Sequence, residues 1–185
     1  MAGFKFGRSA GMEGSTGNLR DFRIDPTNTD AIFTGDPVTL NAGNIEAFSA
    51  GAVTDADILG FFSGCRKTLP DGSLRFANYW DGAAGQSDIS AQVSVAGVGS
   101  TVIAELGVDG SVPFTQAMVG RRVGFTQAAG NAATGESGSY VTSGAAVATG
   151  PLVIHGLADI PQYQGSKVFV ELGVARPALG MAEVA

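Results

Sequence analysis

Residues 34–64, TGDPVTLNAGNIEAFSAGAVTDADILGFFSG, hold short apolar bursts separated by clusters of turn-forming residues, all within about one supersecondary unit. Gly35-Asp36-Pro37 closes a turn and sets up Val38-Thr39-Leu40. Asn41-Ala42-Gly43-Asn44 then reverses the chain into residues 45–48, and Thr54-Asp55-Ala56-Asp57 leads into Ile58-Leu59-Gly60-Phe61-Phe62. Bursts this short leave no length for a stable helix, which needs on the order of 12 residues to persist. The block predicts an all-β chain: a small antiparallel β-barrel or sandwich with little or no helix.

The pattern continues on both sides. Residues 20–24 alternate polar with apolar and read as the first strand of the body, ended by Asp25-Pro26; Ile32-Phe33 is a short one. Thr68-Leu69-Pro70-Asp71-Gly72-Ser73 is a strong turn, and residues 74–80 return from it as a hairpin strand stopped by Asp81-Gly82. Ile89, Ala91, Val93 and Val95 alternate with Ser90, Gln92 and Ser94, the period of a strand with one buried face. Residues 101–106 are expected to pair with residues 112–114 across Gly107-Val108-Asp109-Gly110, with Pro113 confining the second strand to an edge. Residues 121–126 and 138–141 are further strand candidates around a loop of small residues, 127–137. Residues 151–158 and 167–172 are the clearest late strands and are expected to close the barrel. Only residues 114–119 allow a short helical turn.

Composition narrows the function classes. The net charge is −6, with 11 basic against 17 acidic residues, and the longest basic runs are the pairs Arg66-Lys67 and Arg121-Arg122. Nucleic-acid binding needs clustered cations to displace counterions, so DNA and RNA are not expected partners. The single cysteine, Cys65, excludes a disulfide within the chain, and the first residues lack the apolar run of a secretion signal, so synthesis in a reducing cytoplasm is expected. No apolar segment approaches the roughly 20 residues that span a bilayer, and no membrane partner is expected. The apolar content comes largely from Ala and Val, which predicts a thin core that gains stability from neighbouring subunits.

Three regions are expected: an extended N-terminal arm over residues 1–19, a β-barrel body over 20–175 and a C-terminal tail over 176–185. The arm is rich in Gly, Ser and Asn, yet Phe4 and Phe6 stand two apart and would share one face of an extended segment, with Lys5 and Arg8 beside them. Up to Asp25 the chain carries a net +1 and beyond it −7. Two readings of the arm stand: a disordered terminus, or a segment that docks on another chain through Phe4, Lys5, Phe6 and Arg8.

Catalytic chemistry finds little support in the residues. His155 is the sole histidine and lies in an apolar run, and no Gly-x-Ser-x-Gly elbow accompanies it; Gly135-Glu136-Ser137-Gly138 has the wrong spacing. No catalytic residue is assigned. One Cys and one His cannot form a structural zinc site, and Asp55 and Asp57 read as turn formers, because an apolar run follows where a calcium loop needs further acids. Gly97-Val98-Gly99-Ser100-Thr101 lacks the third glycine of a dinucleotide loop and the lysine of a phosphate loop. No metal or cofactor is expected. Tyr79 and Trp80, before Asp81-Gly82, are either core filling at a strand end or an exposed pair able to stack on a sugar or a neighbouring protein.

The order of these blocks resembles the capsid decoration or cement proteins of tailed bacteriophages. The resemblance is carried by the Gly-Asp-x-Val turn at residues 35–38, the Ala/Gly-rich strand ending in Ile58-Leu59-Gly60-Phe61, the Thr134-Gly135-Glu136-Ser137 segment, the Ile154-His155-Gly156-Leu157 strand and the last strand with Val168 and Val170. It spans most of residues 20–172. It implies a non-enzymatic virion protein on the outer surface of the capsid, assembled in the host cytoplasm, bridging neighbouring major-capsid subunits as a homo-oligomer, with a trimer favoured. A carbohydrate-binding or adhesion module of a tail or fibre, using Tyr79 and Trp80, is the alternative.

Overall fold

The computed structural model describes residues 5–9, 19–48, 58–95, 100–105, 116–141, 151–158 and 169–174. The strands are β1 (Lys5–Ser9), β2 (Leu19–Ile24), β3 (Ile32–Phe33), β4 (Pro37–Asn41), β5 (Asn44–Ala47), β6 (Gly60–Thr68), β7 (Leu74–Ala77) and β8 (Tyr79–Trp80). They continue with β9 (Ser87–Val95), β10 (Ser100–Glu105), β11 (Arg122–Val123), β12 (Phe125–Thr126), β13 (Tyr140–Val141), β14 (Leu152–Ala158) and β15 (Phe169–Val174). Among the described residues the helical content is one 3-10 turn, Gln116–Met118, inside the stretch where the sequence allows a short helix.

The all-β reading holds, and the barrel is closed. Strands run β4-β5-β2-β9-β6, and β6 pairs back onto β4 through Pro37↔Phe61 and Val38↔Gly60. A ring with an odd number of strands cannot alternate direction all the way round. One parallel pairing is therefore obligatory, and it falls between β2 and β5, at Arg23↔Asn44 and Ile24↔Ile45; the other four pairings are antiparallel. Closure removes the open edges that a flat sheet would carry.

The hairpin predicted at residues 41–44 forms as β4–β5. Its central residues Ala42 and Gly43 both take positive φ, 47° and 85°, the conformation whose twist matches paired strands. The alternation in β9 places Ile89, Ala91, Val93 and Val95 inside, where they join Ile24, Val38, Ile45, Leu59, Phe62 and Cys65 in one core. The core is less thin than the composition suggests, because Trp80, Phe62, Ile32, Ile45 and Leu59 are all fully buried. Each such side chain contributes about 1.5–3 kcal/mol relative to exposure.

Two sequence expectations are corrected. Residues 74–80 do not form one strand: β7 pairs with β6, the chain breaks at Asn78, and β8 pairs with β3. The late strands β14 and β15 do not close the barrel; they pair with each other in a second, antiparallel sheet ordered β1-β10-β15-β14-β11. In that sheet β10 pairs with β1 over residues 100–103 and with β15 over residues 101–105. Residues 112–114, like Asp55 and Asp57, lie outside the described residues. The arm does contain an extended segment, and it is held by its own chain: Lys5↔Ile103, Phe6↔Val102 and Arg8↔Thr101.

Candidate functional site

Polar side chains gather in three places, of which two are interior. The first is built on Asp36, just after the turn glycine Gly35. Asp36 is buried, and its Oδ2 accepts the amide of Phe33 at 2.8 Å. Its Oδ1 accepts Ser137 Oγ at 2.5 Å and Ser139 Oγ at 3.0 Å. The backbone of Thr34 meanwhile donates to Gly135 O and accepts from Ser137 N, both at 2.9 Å. Two glycine-marked segments, Gly35-Asp36 and Gly135-Glu136-Ser137, are thus sewn together. Ser137 is 0% exposed and its hydroxyl proton is committed to a carboxylate, so the serine acts as a latch.

The second lies at the end of β8. Trp80 is 0% exposed and its Nε1 donates to Asn28 O at 3.2 Å, while Tyr79 stacks on Phe33 with ring centroids 5.1 Å apart. Trp80 offers no surface to a sugar or a partner, which corrects the reading that displays it: β8 leaves β6 to pair with β3, and that turns its ring into the core. Lys67 is buried beside it, 5.5 Å from the Trp80 ring centroid and 2.8 Å from Asp81 Oδ2. Burial raises the Asp81 pKa, but hydrogen bonds from Lys67, Gln86 and the Ala83 amide outweigh it and hold the carboxyl below its ordinary value. Cys65, next to this group, is pushed up to about 11 by burial, so its thiol stays protonated and a poor nucleophile at neutral pH.

The third is exposed. Register places Arg23, Ser90, Arg66 and Phe76 in one row across β2, β9, β6 and β7, on the face turned away from the core. A second row, Asp21, Gln92 and Gly64, runs beside it. Gly64 lacks a side chain and sits at a register shift in β6, so the surface sinks there. Grooves of about 330 and 710 Å³ meet over these strands, sharing Asp21, Arg66 and Ser90, and Phe76 stands at one end. Phe76 is 75% exposed and Leu74, two residues away on the same face of β7, 56%. β7 ends the sheet order, and among the described residues no strand pairs with its outer edge. Sequence reading missed this pair because Leu74 and Phe76 alternate with Arg75 and Ala77 as a half-buried strand would; only the position of β7 outside the closed ring exposes them.

The other sequence candidates fall elsewhere. Lys5, Phe6 and Arg8 lie in β1, which belongs to a different sheet from β7, and Phe4 is outside the described residues. His155 is exposed on β14 at a register shift between Ile154 and Gly156. Among the described residues no group of three or more His, Cys, Asp or Glu side chains is placed to hold a metal ion, and no helix is long and apolar enough to cross a membrane. Compared with protein-family models, with curated proteins and with solved structures, the chain matches none.

Proposed function

We propose that this chain is a non-enzymatic structural protein that binds the outer surface of a phage capsid and bridges neighbouring major-capsid subunits, itself a homo-oligomer with a trimer favoured. The observation that carries the protein-binding part is the pair Leu74 and Phe76, large apolar side chains held out to solvent on an open strand of an otherwise closed barrel. The interior polar groups support a structural role, since Asp36, Ser137, Ser139, Lys67 and Asp81 all bind other parts of the same chain. The capsid as partner comes from the resemblance in the order of the β-blocks. Two of those blocks, Gly35-Asp36-Pro37-Val38 and Thr134-Gly135-Glu136-Ser137, meet in space through Asp36 and Ser137, which supports reading them as parts of one structural unit.

Co-sedimentation of the purified chain with capsids lacking a decoration protein tests the proposal. Saturable binding at a fixed ratio to the major-capsid subunit is the expected result, and capsids that pellet without the chain at any concentration overturn it.

A further inference from the structure

We infer that the open edge of β7 is a docking strand for an extended segment of a partner protein in which acidic side chains alternate with apolar ones. The inference rests on the reading of the chain as a protein-binding structural component and adds the chemistry of what it binds.

Strand addition needs unpaired backbone groups for affinity and side chains on alternate faces for selection. β7 provides both. Its inner edge is paired with β6 over Leu74↔Thr68, Arg75↔Lys67, Phe76↔Arg66 and Ala77↔Cys65, and among the described residues no strand takes the outer edge, which is left for an incoming one. The pleat then divides the contacts. Leu74 and Phe76 face one way and meet apolar side chains of the added strand; Arg75 faces the other way, where a carboxylate suits it.

Charge selects the occupant. Arg66 and Arg75 flank the edge and are exposed, and among the described residues neither has an ion-pair partner. Of the nearby carboxylates, Asp81 is paired with Lys67, Asp71 accepts the amide and hydroxyl of Ser73 at 2.9 and 2.6 Å, and Asp21 and Asp88 line the grooves on the Arg66 side. Arg75 is thus the charged side chain of β7 itself, exposed and without a carboxylate paired to it among the described residues. A second copy pairing antiparallel through β7 would set two Arg75 side chains against each other across the ladder, and like charges there destabilise it. Proteins commonly blunt open edges with short strands and a charge. The short length of β7 and Arg75 do this against indiscriminate pairing, and leave an acidic strand as the one that is not repelled.

The experiment uses the full chain, isotopically labelled, titrated with a capped heptapeptide alternating valine and glutamate and with its valine–lysine counterpart. The glutamate peptide is expected to shift the backbone amide resonances of residues 74–77 and to bind at least about tenfold more tightly than the lysine peptide, with Arg75→Glu reversing the preference. Phe76→Asp is expected to lose binding of the glutamate peptide while tryptophan emission stays unchanged, since Phe76 is exposed and Trp80 buried. Absence of binding, equal binding of the two peptides, shifts confined to other strands, or self-association that Phe76→Asp abolishes would each overturn the inference. Peptide binding without retention on capsids upholds it and overturns only the capsid reading; capsid retention unchanged by Phe76→Asp and Arg75→Glu, with no peptide binding, does the reverse.

Discussion

Ser137 Oγ donates to Asp36 Oδ1 at 2.5 Å, joining side chains 101 residues apart and fastening the loop of small residues at 127–137 to the barrel. The loop is ordered by its own bonds as well: Asn131 O accepts the amides of Thr134 and Gly135, and Asn131 Oδ1 accepts that of Ala133. Asp36 supplies the long-range part. Because the carboxylate is buried and takes three donors, its removal strands all three.

Asp36→Ala is therefore expected to cost about 3 kcal/mol, and Ser137→Ala only about 1 kcal/mol, since Asp36 keeps Ser139 and the Phe33 amide. Urea unfolding of the single and double variants checks this. A double variant no worse than Asp36→Ala alone is the expected mark of coupling; additive losses would show that the two side chains act separately.

Ala42 is the position where the sequence least suits the backbone. Its φ of 47° lies in the left-handed region, which costs a β-carbon-bearing residue about 1 kcal/mol, and asparagine tolerates that region better. Ala42→Asn creates the Asn-Gly pair favoured in such turns and is expected to raise stability by about 0.5–1 kcal/mol. A thermal midpoint unchanged or lowered in the variant would contradict it.

Cys65 is expected to resist alkylation. With its pKa raised to about 11 and its side chain buried, almost no thiolate is exposed at neutral pH. Labelling by a maleimide at pH 7 should follow the opening of the barrel and accelerate steeply near the urea midpoint. Rapid labelling of the native chain, at the rate of a free thiol, would show that Cys65 is reachable without unfolding.

The local signals in the sequence translated well and the global ones did not. The turn at Asn41-Ala42-Gly43-Asn44, the alternation from Ile89 to Val95 and the strands at residues 20–24 and 151–158 all appear where the pattern places them, because turn chemistry and period-two burial are properties of a few adjacent residues. Pairing partners depend on the whole sheet. Nothing in residues 101–106 reveals that β10 is sandwiched between β1 and β15, and nothing in residues 151–158 reveals that β14 belongs outside the barrel. The site divides in the same way. Asp36 and Ser137 were visible as members of separate glycine motifs, but their contact follows from tertiary folding. Phe76 was hidden because an edge strand beyond a closed ring carries the same alternation as a strand within it.

The Lys67–Asp81 pair makes an asymmetric prediction. Lys67 is 4% exposed and Asp81 34%, so removing the carboxylate strands a buried charge, whereas removing the ammonium leaves a carboxylate that water can reach. Asp81→Asn is expected to cost about 2 kcal/mol, discounted from the larger loss typical of fully buried pairs, and Lys67→Met about half that. The pH dependence follows from the same contact. The folded pKa of Asp81 is lowered, so its contribution is complete above the unfolded value of about 3.9 and is lost as pH falls through the folded one. Asp25 and Asp71 are lowered too, by hydrogen bonds from Thr27 and Ser73, and act in the same acid window. Stability measured by urea unfolding should therefore fall as the pH drops below about 4, with a shallower slope in Asp81→Asn. Parallel slopes for the variant and the parent, or a greater loss in Lys67→Met than in Asp81→Asn, would refute the assignment of Lys67 as the buried, dependent partner.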